Sequence, residues 1–369
     1  MLLASIVCKR RLCALLLAVL SPYLAFAADS KNNLLLTDNH FSRGVHIIPP
    51  ANVRVGSLPQ NMNRAATVCL PQRDCSKKPV WQLQQWSNAQ DIVTASQSQF
   101  AWTLQDSAQR VQKRLWLKPA DPVDGDAMLE MNGLSEFLAR SEDGVPHYLP
   151  DLGKPWPHWL LSQQMDSGRL KQYNRLMLSG QLKLLFDVPQ HREGYDPAVH
   201  AARLLLAMTV RNRLTGDYFW LTLPLYDDRY PQSDFGCRKC TADGAQCVTP
   251  RSIDDPAIDK KSVWRCPEDS VGDRWWNNEK TGTARMIFRI PTGGFVHGEV
   301  RDGMWVQVSG DLLPYVQAGI EAVRQRENDR RFPPGLFFYE LGLFSIGWEM
   351  TGFNHVAAQL RDWQIDAVR

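Results

Sequence analysis

From Leu176 to Val188 the chain alternates. Leu176, Leu178, Gly180, Leu182, Leu184, Phe186 and Val188 form one series; Ser179, Gln181, Lys183 and Asp187 fall in the other. Successive side chains of a strand point to opposite faces, so the pattern predicts a strand with one face in a core and one outside it. Ala202–Leu214 repeats the pattern, with Leu204, Leu206, Met208 and Val210 against Arg203, Thr209, Arg211 and Arg213. After a short turn, Asp217–Tyr226 sets Phe219, Leu221, Leu223 and Leu225 against Tyr218, Trp220, Thr222 and Tyr226. These two segments read as an antiparallel hairpin.

Further strands are predicted at Val80–Trp86, Phe100–Gln105, Gln109–Leu117, Ala127–Met131, Trp159–Gln164, Thr283–Ile290, Met304–Val308, Leu336–Trp348 and Asn354–Ile365. Leu336–Glu349 is apolar on both faces, as a central covered strand would be. One segment reads as a helix: Asp311 caps Leu312–Arg326, where Leu313, Val316, Ile320 and Val323 recur at helical spacing. Many strands with one helix predict an all-β fold, an antiparallel jelly-roll β-sandwich with a helix near the C-terminus. No linker-like tract divides residues 28–369, which read as a single β-sandwich domain. Residues 227–281 interrupt the strand series as a Cys-rich loop insertion that holds Trp264, Trp275 and Trp276.

The N-terminus carries Lys9, Arg10 and Arg11 before the apolar run Leu12–Leu20, then Ala25-Phe26-Ala27. This is the layout of a cleavable signal peptide, residues 1–27, with cleavage after Ala27. The expected location is periplasmic or secreted. The full chain has 42 basic and 39 acidic residues, and the predicted signal holds three of the basic ones, so the mature chain is neutral. That argues against a nucleic-acid binder. No later stretch reaches about 18 consecutive apolar residues, so no stable membrane insertion is expected.

Six cysteines follow the signal: Cys69, Cys75, Cys237, Cys240, Cys247 and Cys266. In an oxidising compartment they read first as disulfides, Cys69 with Cys75 and the other four among themselves. The C-x2-C-x6-C-x18-C spacing also suits tetrahedral zinc, and a redox C-x-x-C is a third reading.

The polar strand faces offer Lys183, Arg203, Arg211, Tyr218, Trp220, Gln359 and Arg361 as ligand-binding candidates. If their strands share a sheet, arginines stand beside aromatic rings on one face. Rings stack on sugar faces and arginine pairs with carboxylates, so the partner implied is a polysaccharide or oligosaccharide, including an anionic one. The competing reading is a solvated sheet face. Trp81, Trp86, Trp102, Trp159, Trp305 and Trp348 read as core, and Trp275-Trp276 as a loop pair. No histidine falls in a metal-binding spacing, so no metal site is assigned. Glu340 and Glu349 have opposite parity on one strand and would need a bulge to share a face. The Asp-rich turns Asp121–Asp126 and Asp254–Asp259 read as turns rather than calcium loops.

The strand series ending in Phe344–Glu349 and Asn354–Trp363, with Pro155-Trp156-Pro157-His158-Trp159 before a long strand, resembles secreted jelly-roll proteins of the carbohydrate-binding-module and polysaccharide-lyase type. That resemblance implies glycan ligands and a structural calcium, with no other cofactor. Three readings follow. The first is a secreted carbohydrate-binding protein. The second is a polysaccharide lyase acting on a uronate-containing glycan, with Arg211 or Arg361 neutralising the carboxylate and His355 or Tyr218 taking the proton. The third is a non-catalytic envelope or assembly protein that uses the Cys-rich insertion as its contact surface.

Overall fold

The computed structural model describes residues 33–50, 66–68, 78–98, 100–118, 126–148, 156–196, 200–228, 238–240, 247–248, 263–265, 286–290, 292–301, 303–327 and 331–369. Strands are numbered β1–β20 along the chain. One sheet contains β1 (Asn33–Leu34), β5 (Ser96–Gln97), β6 (Ala101–Gln105), β7 (Val111–Lys118), β8 (Asp126–Asn132), β10 (Arg175–Val188), β17 (Val296–His297), β18 (Trp305–Asp311) and β20 (His355–Val368). Its order is β17-β18-β10-β20-β8-β7-β6-β5, with β1 paired to the far end of β20. The second sheet contains β2 (Val45–Ile47), β3 (Ala66–Val68), β4 (Trp81–Gln84), β9 (His158–Gln164), β11 (Ala202–Asn212), β12 (Tyr218–Asp227), β16 (Ile287–Arg289) and β19 (Tyr339–Met350). Its order is β16-β12-β11-β19-β9-β4-β2-β3.

This is the antiparallel jelly-roll sandwich that the alternation implies. Among the described residues only β2/β4 and β12/β16 pair in parallel. The inward series of both sheets meet in one continuous apolar core, in which Trp81, Trp159, Trp348 and Trp363 are wholly buried. The Trp348 indole crosses between sheets and donates to the Leu129 carbonyl at 3.0 Å. Gly180 interrupts the leucine series of β10 because the Trp363 ring lies on it; a Cβ there would come within 2.5 Å of that ring. Tyr339–Met350 lies between β9 and β11 and is buried along most of its length, as the two-sided apolar pattern requires.

Two differences from the sequence reading concern local structure. A second helix, α1 (Gly133–Ala139), leaves β8 directly, with the Asn132 side chain accepting the Ser135 N–H at 3.2 Å. The expected helix is α2 (Leu313–Glu327), whose Leu313 N–H is bonded by the Asp311 carboxylate at 3.0 Å. Helix α1 was hidden because a seven-residue helix running on from a strand carries too few turns to show its period. The insertion is not wholly irregular either. It holds a three-stranded sheet of β13 (Arg238–Cys240), β14 (Cys247–Val248) and β15 (Val263–Arg265), strands too short to alternate visibly.

Lys113 stands in the inward series of β7 beside Leu115 and Leu117 and is fully buried. It forms an ion pair with the equally buried Glu136 of α1. Glu136 also accepts the Ala89 N–H at 2.8 Å, so the pair ties β7, α1 and the 85–91 loop together. Burial lowers the Lys113 pKa, and the Glu136 charge opposes that shift. Lys113→Met should cost about 3–5 kcal/mol in urea unfolding because it strands a buried carboxylate, and adding Glu136→Leu should recover most of the loss.

Candidate functional site

The outward face of the eight-stranded sheet carries a chain of five rings. Trp156 stacks on His158 with centroids 5.5 Å apart, and His158 lies 5.9 Å from Trp86. Trp86 meets Trp220 edge-on at 6.2 Å, and Trp220 meets Tyr218 at 5.9 Å. All five are partly exposed. Trp86 lies two residues past the end of β4, and Trp220 is on β12, four strands away; across a flat sheet that is about 19 Å. Contact between their rings therefore requires this face to be concave.

Three arginines of the concave face have acidic partners. Arg211 and Arg213 share Glu340, and Arg203 pairs with Asp227 at 3.4 Å. Glu349 is hydrogen-bonded to His158 at 3.1 Å. Burial raises the Glu349 pKa, but the His158 hydrogen bond and the charges of His158, Arg203 and Arg289 outweigh it, so the carboxyl stays below its ordinary value. β19 carries an extra residue where Met208 pairs with Phe344 but Val210 pairs with Leu341. That bulge brings Glu340 and Glu349 onto one face, opposite Arg211 and Arg203. The two glutamates remain at opposite ends of the strand, too far apart to act on one glycosidic bond.

The nine-stranded sheet presents a different outward face. Arg361 stacks over Trp305 at 4.0 Å and donates to Gln181 Oε1 through Nε at 3.2 Å and Nη2 at 2.7 Å. Lys183 lies 4.9 Å from the same ring. His355, at the start of β20, is hydrogen-bonded to Glu130 at 2.9 Å, and Glu130 also faces Arg114 at 3.3 Å.

The binding candidates therefore divide between the two sheets. Lys183, Gln359 and Arg361 lie on the nine-stranded sheet, whereas Arg203, Arg211, Tyr218 and Trp220 lie on the eight-stranded one. Strand parity reports which face a residue takes but not which sheet its strand joins. Of the candidates for proton chemistry, Arg211 and Tyr218 are cross-strand partners, while His355 and Arg361 sit six positions apart on β20. Burial raises the Tyr218 pKa, which holds its phenol in the protonated form. Trp86 and Trp305, read as core, are partly exposed outward residues; Trp81, Trp102, Trp159 and Trp348 are core. Cys69, Cys75, Cys237, Cys266, Trp275, Trp276, the 1–27 segment and Asp254–Asp259 lie outside the described residues, as does all of Asp121–Asp126 but Asp126. Backbone register sets Cys240 opposite Cys247. Among the described residues no cluster of three His, Cys, Asp or Glu could hold a metal.

A further site was not visible in the alternation. Bulges between Leu184/Phe186 on β10 and Leu204/Leu205 opposite β12 shift the phase of both strands. They turn Asp187 and Tyr226, which parity places outside, toward the core, where the Tyr226 hydroxyl donates to Asp187 at 2.8 Å. Asn354, fully buried, donates from one nitrogen to Asp187 at 2.8 Å and to Asp228 at 3.0 Å. Asp228 also accepts the Ala202 N–H at 2.9 Å. Burial, then the charges of Asp227 and Asp187, push the Asp228 carboxyl up to about 7.

A carboxyl that keeps its proton in the fold but loses it in the unfolded chain makes stability fall as pH rises from about 4 to about 7, and the loss levels off above that. The melting temperature of Asp228→Asn, measured against wild type, should therefore shift in favour of the variant between pH 5 and pH 8.

No protein-family model matches the sequence, and no curated protein matches it. Solved structures that match include endoglucanase 3 of Trichoderma harzianum, from family GH12, at 9% identity over 69% of this chain and 83% of that one, with a TM-score of 0.30. Endoglucanase cel12A of Rhodothermus marinus matches at 9% identity over 69% and 86%, TM-score 0.30. A loop-swap mutant of Necallimastix patriciarum Xyn11A matches at 11% identity over 73% and 90%, TM-score 0.31. At these scores the likeness carries no weight for activity.

Proposed function

We propose that this protein binds a polysaccharide along the aromatic ribbon of its concave face. The observation that carries this reading is the unbroken series Trp156, His158, Trp86, Trp220 and Tyr218. Large amphipathic rings exposed in a row offer stacking surface for sugar faces, and the concavity suits an extended chain lying across the strands. Arg203, Arg211 and Arg213 on this face already have carboxylate partners, so the ribbon favours a neutral glycan over an anionic one.

The elimination reading has less support. Arg211 faces Tyr218 but is engaged by Glu340, and the phenol holds its proton. The assembly reading rests on the insertion, most of which lies outside the described residues. Binding a polysaccharide fits an exported chain cut after Ala27, and the N-terminal mass of the secreted product tests that cleavage.

Native electrophoresis through gels that contain neutral glucan, mannan or xylan should show retardation in at least one polymer. Trp220→Ala and Trp86→Ala should each weaken it about tenfold. No retardation by any of these polymers, or retardation indifferent to both substitutions, sinks the reading.

A further inference from the structure

We propose that the opposite side of the sandwich, the outward face of the nine-stranded sheet, carries a second binding strip, selective for an acidic polysaccharide. The ladder register places its parts in one transverse row. Trp116 of β7 faces Met128 of β8, Met128 faces Gln359 of β20, Gln359 faces Lys183 of β10, and Lys183 faces Trp305 of β18. Four strand spacings separate the two tryptophans, about 19 Å, long enough for an oligosaccharide rather than a single sugar.

Each end is built differently. Trp116 lines an open depression of about 510 Å³ whose other walls are mainly hydroxyl and amide groups, among them Ser98, Thr103, Gln105 and Gln359. Those groups suit sugar hydroxyls, with the indole as the stacking surface. At the other end Trp305 leans across β10 to stack with Arg361, which Gln181 orients through two hydrogen bonds.

Charge separates this strip from the concave ribbon. Among the described residues no carboxylate lies within 4.0 Å of the Lys183 ammonium, whose contact is the Trp305 ring. Arg361 meets its carboxylate, Asp362, only at 3.9 Å, and its close partner is the neutral Gln181 amide. Two cations held side by side without a close carboxylate are a place for uronate groups, and the fork of Arg361 suits a planar carboxylate. A merely solvated face would not need two tryptophans on one row with polar groups between them.

The test is native electrophoresis at physiological salt through gels that contain polygalacturonate, alginate or, as a polyanion without sugar, polyphosphate. Wild type should be retarded by at least one acidic polysaccharide. Lys183→Gln should weaken that retardation about tenfold, and Trp116→Ala and Gln359→Ala should each weaken it measurably. Trp220→Ala should leave it unchanged, so this strip and the neutral-glycan ribbon stand or fall separately. The proposal is overturned by absence of retardation in both acidic polysaccharides, by loss of binding in Trp220→Ala, or by equal retardation in polyphosphate that Trp116→Ala and Gln359→Ala do not change. Should Trp116→Ala melt below the assay temperature, Gln359→Ala and Lys183→Gln, both outward polar changes, decide the outcome.

Discussion

Two sheets closed over a core that contains four wholly buried tryptophans leave each strand one inward phase, and a bulge is the means by which a strand changes it. The polar chemistry of this protein follows from that constraint. On β10 and β12 the phase shifts turn Asp187 and Tyr226 inward, where they meet Asn354 and Asp228. On β19 an extra residue carries Glu340 and Glu349 to a common face, each opposite an arginine of β11. Without these shifts Asp187 and Tyr226 would be solvated surface groups, and one of the two glutamates would point into the core.

The buried charges show the same dependence on position. Lys113 lies in an apolar series and is tolerated because α1 delivers Glu136 to it. Asp228 lies with Asp187 and Asp227 instead, and burial and their charges push its carboxyl up to about 7. The two outward faces diverge in a parallel way. On the concave side Arg203 and Arg211 are matched by acids and the rings touch one another. On the other side a tryptophan is held by cations whose near partners are rings and amides. A chain with nearly balanced charges, 42 basic against 39 acidic, can therefore own two surfaces of different electrostatic character.

Much of the architecture was legible in the alternation. The long strands β10, β11, β12, β19 and β20 stand within a few residues of where their pattern puts them, and so does α2. Helix α1 and the short strands of the insertion were not, since a period needs several repeats to register. The aromatic residues were harder. Trp86 and Trp305 sit in or beside patterned strands, yet they are partly exposed, because tryptophan serves cores and surfaces equally and its type does not reveal which. The candidate site was legible only in fragments. Tyr218 and Trp220 read as outward from the alternation, but their neighbours in the ribbon, Trp86, Trp156 and His158, come from segments at least sixty residues distant in sequence.

By itself the sequence determined what depends on adjacent residues: which segments are strands, which of their faces is apolar, and that the fold is an all-β sandwich. Alternation is a property of one strand, so one strand suffices to read it. Tertiary structure alone decided which strands are neighbours, which sheet each joins, where the phase slips and how far a sheet curls. Those depend on pairing and packing between distant segments. That is why seven residues with one kind of chemistry fell on two faces, and why an aspartate and a tyrosine that the alternation assigns to solvent meet between the sheets.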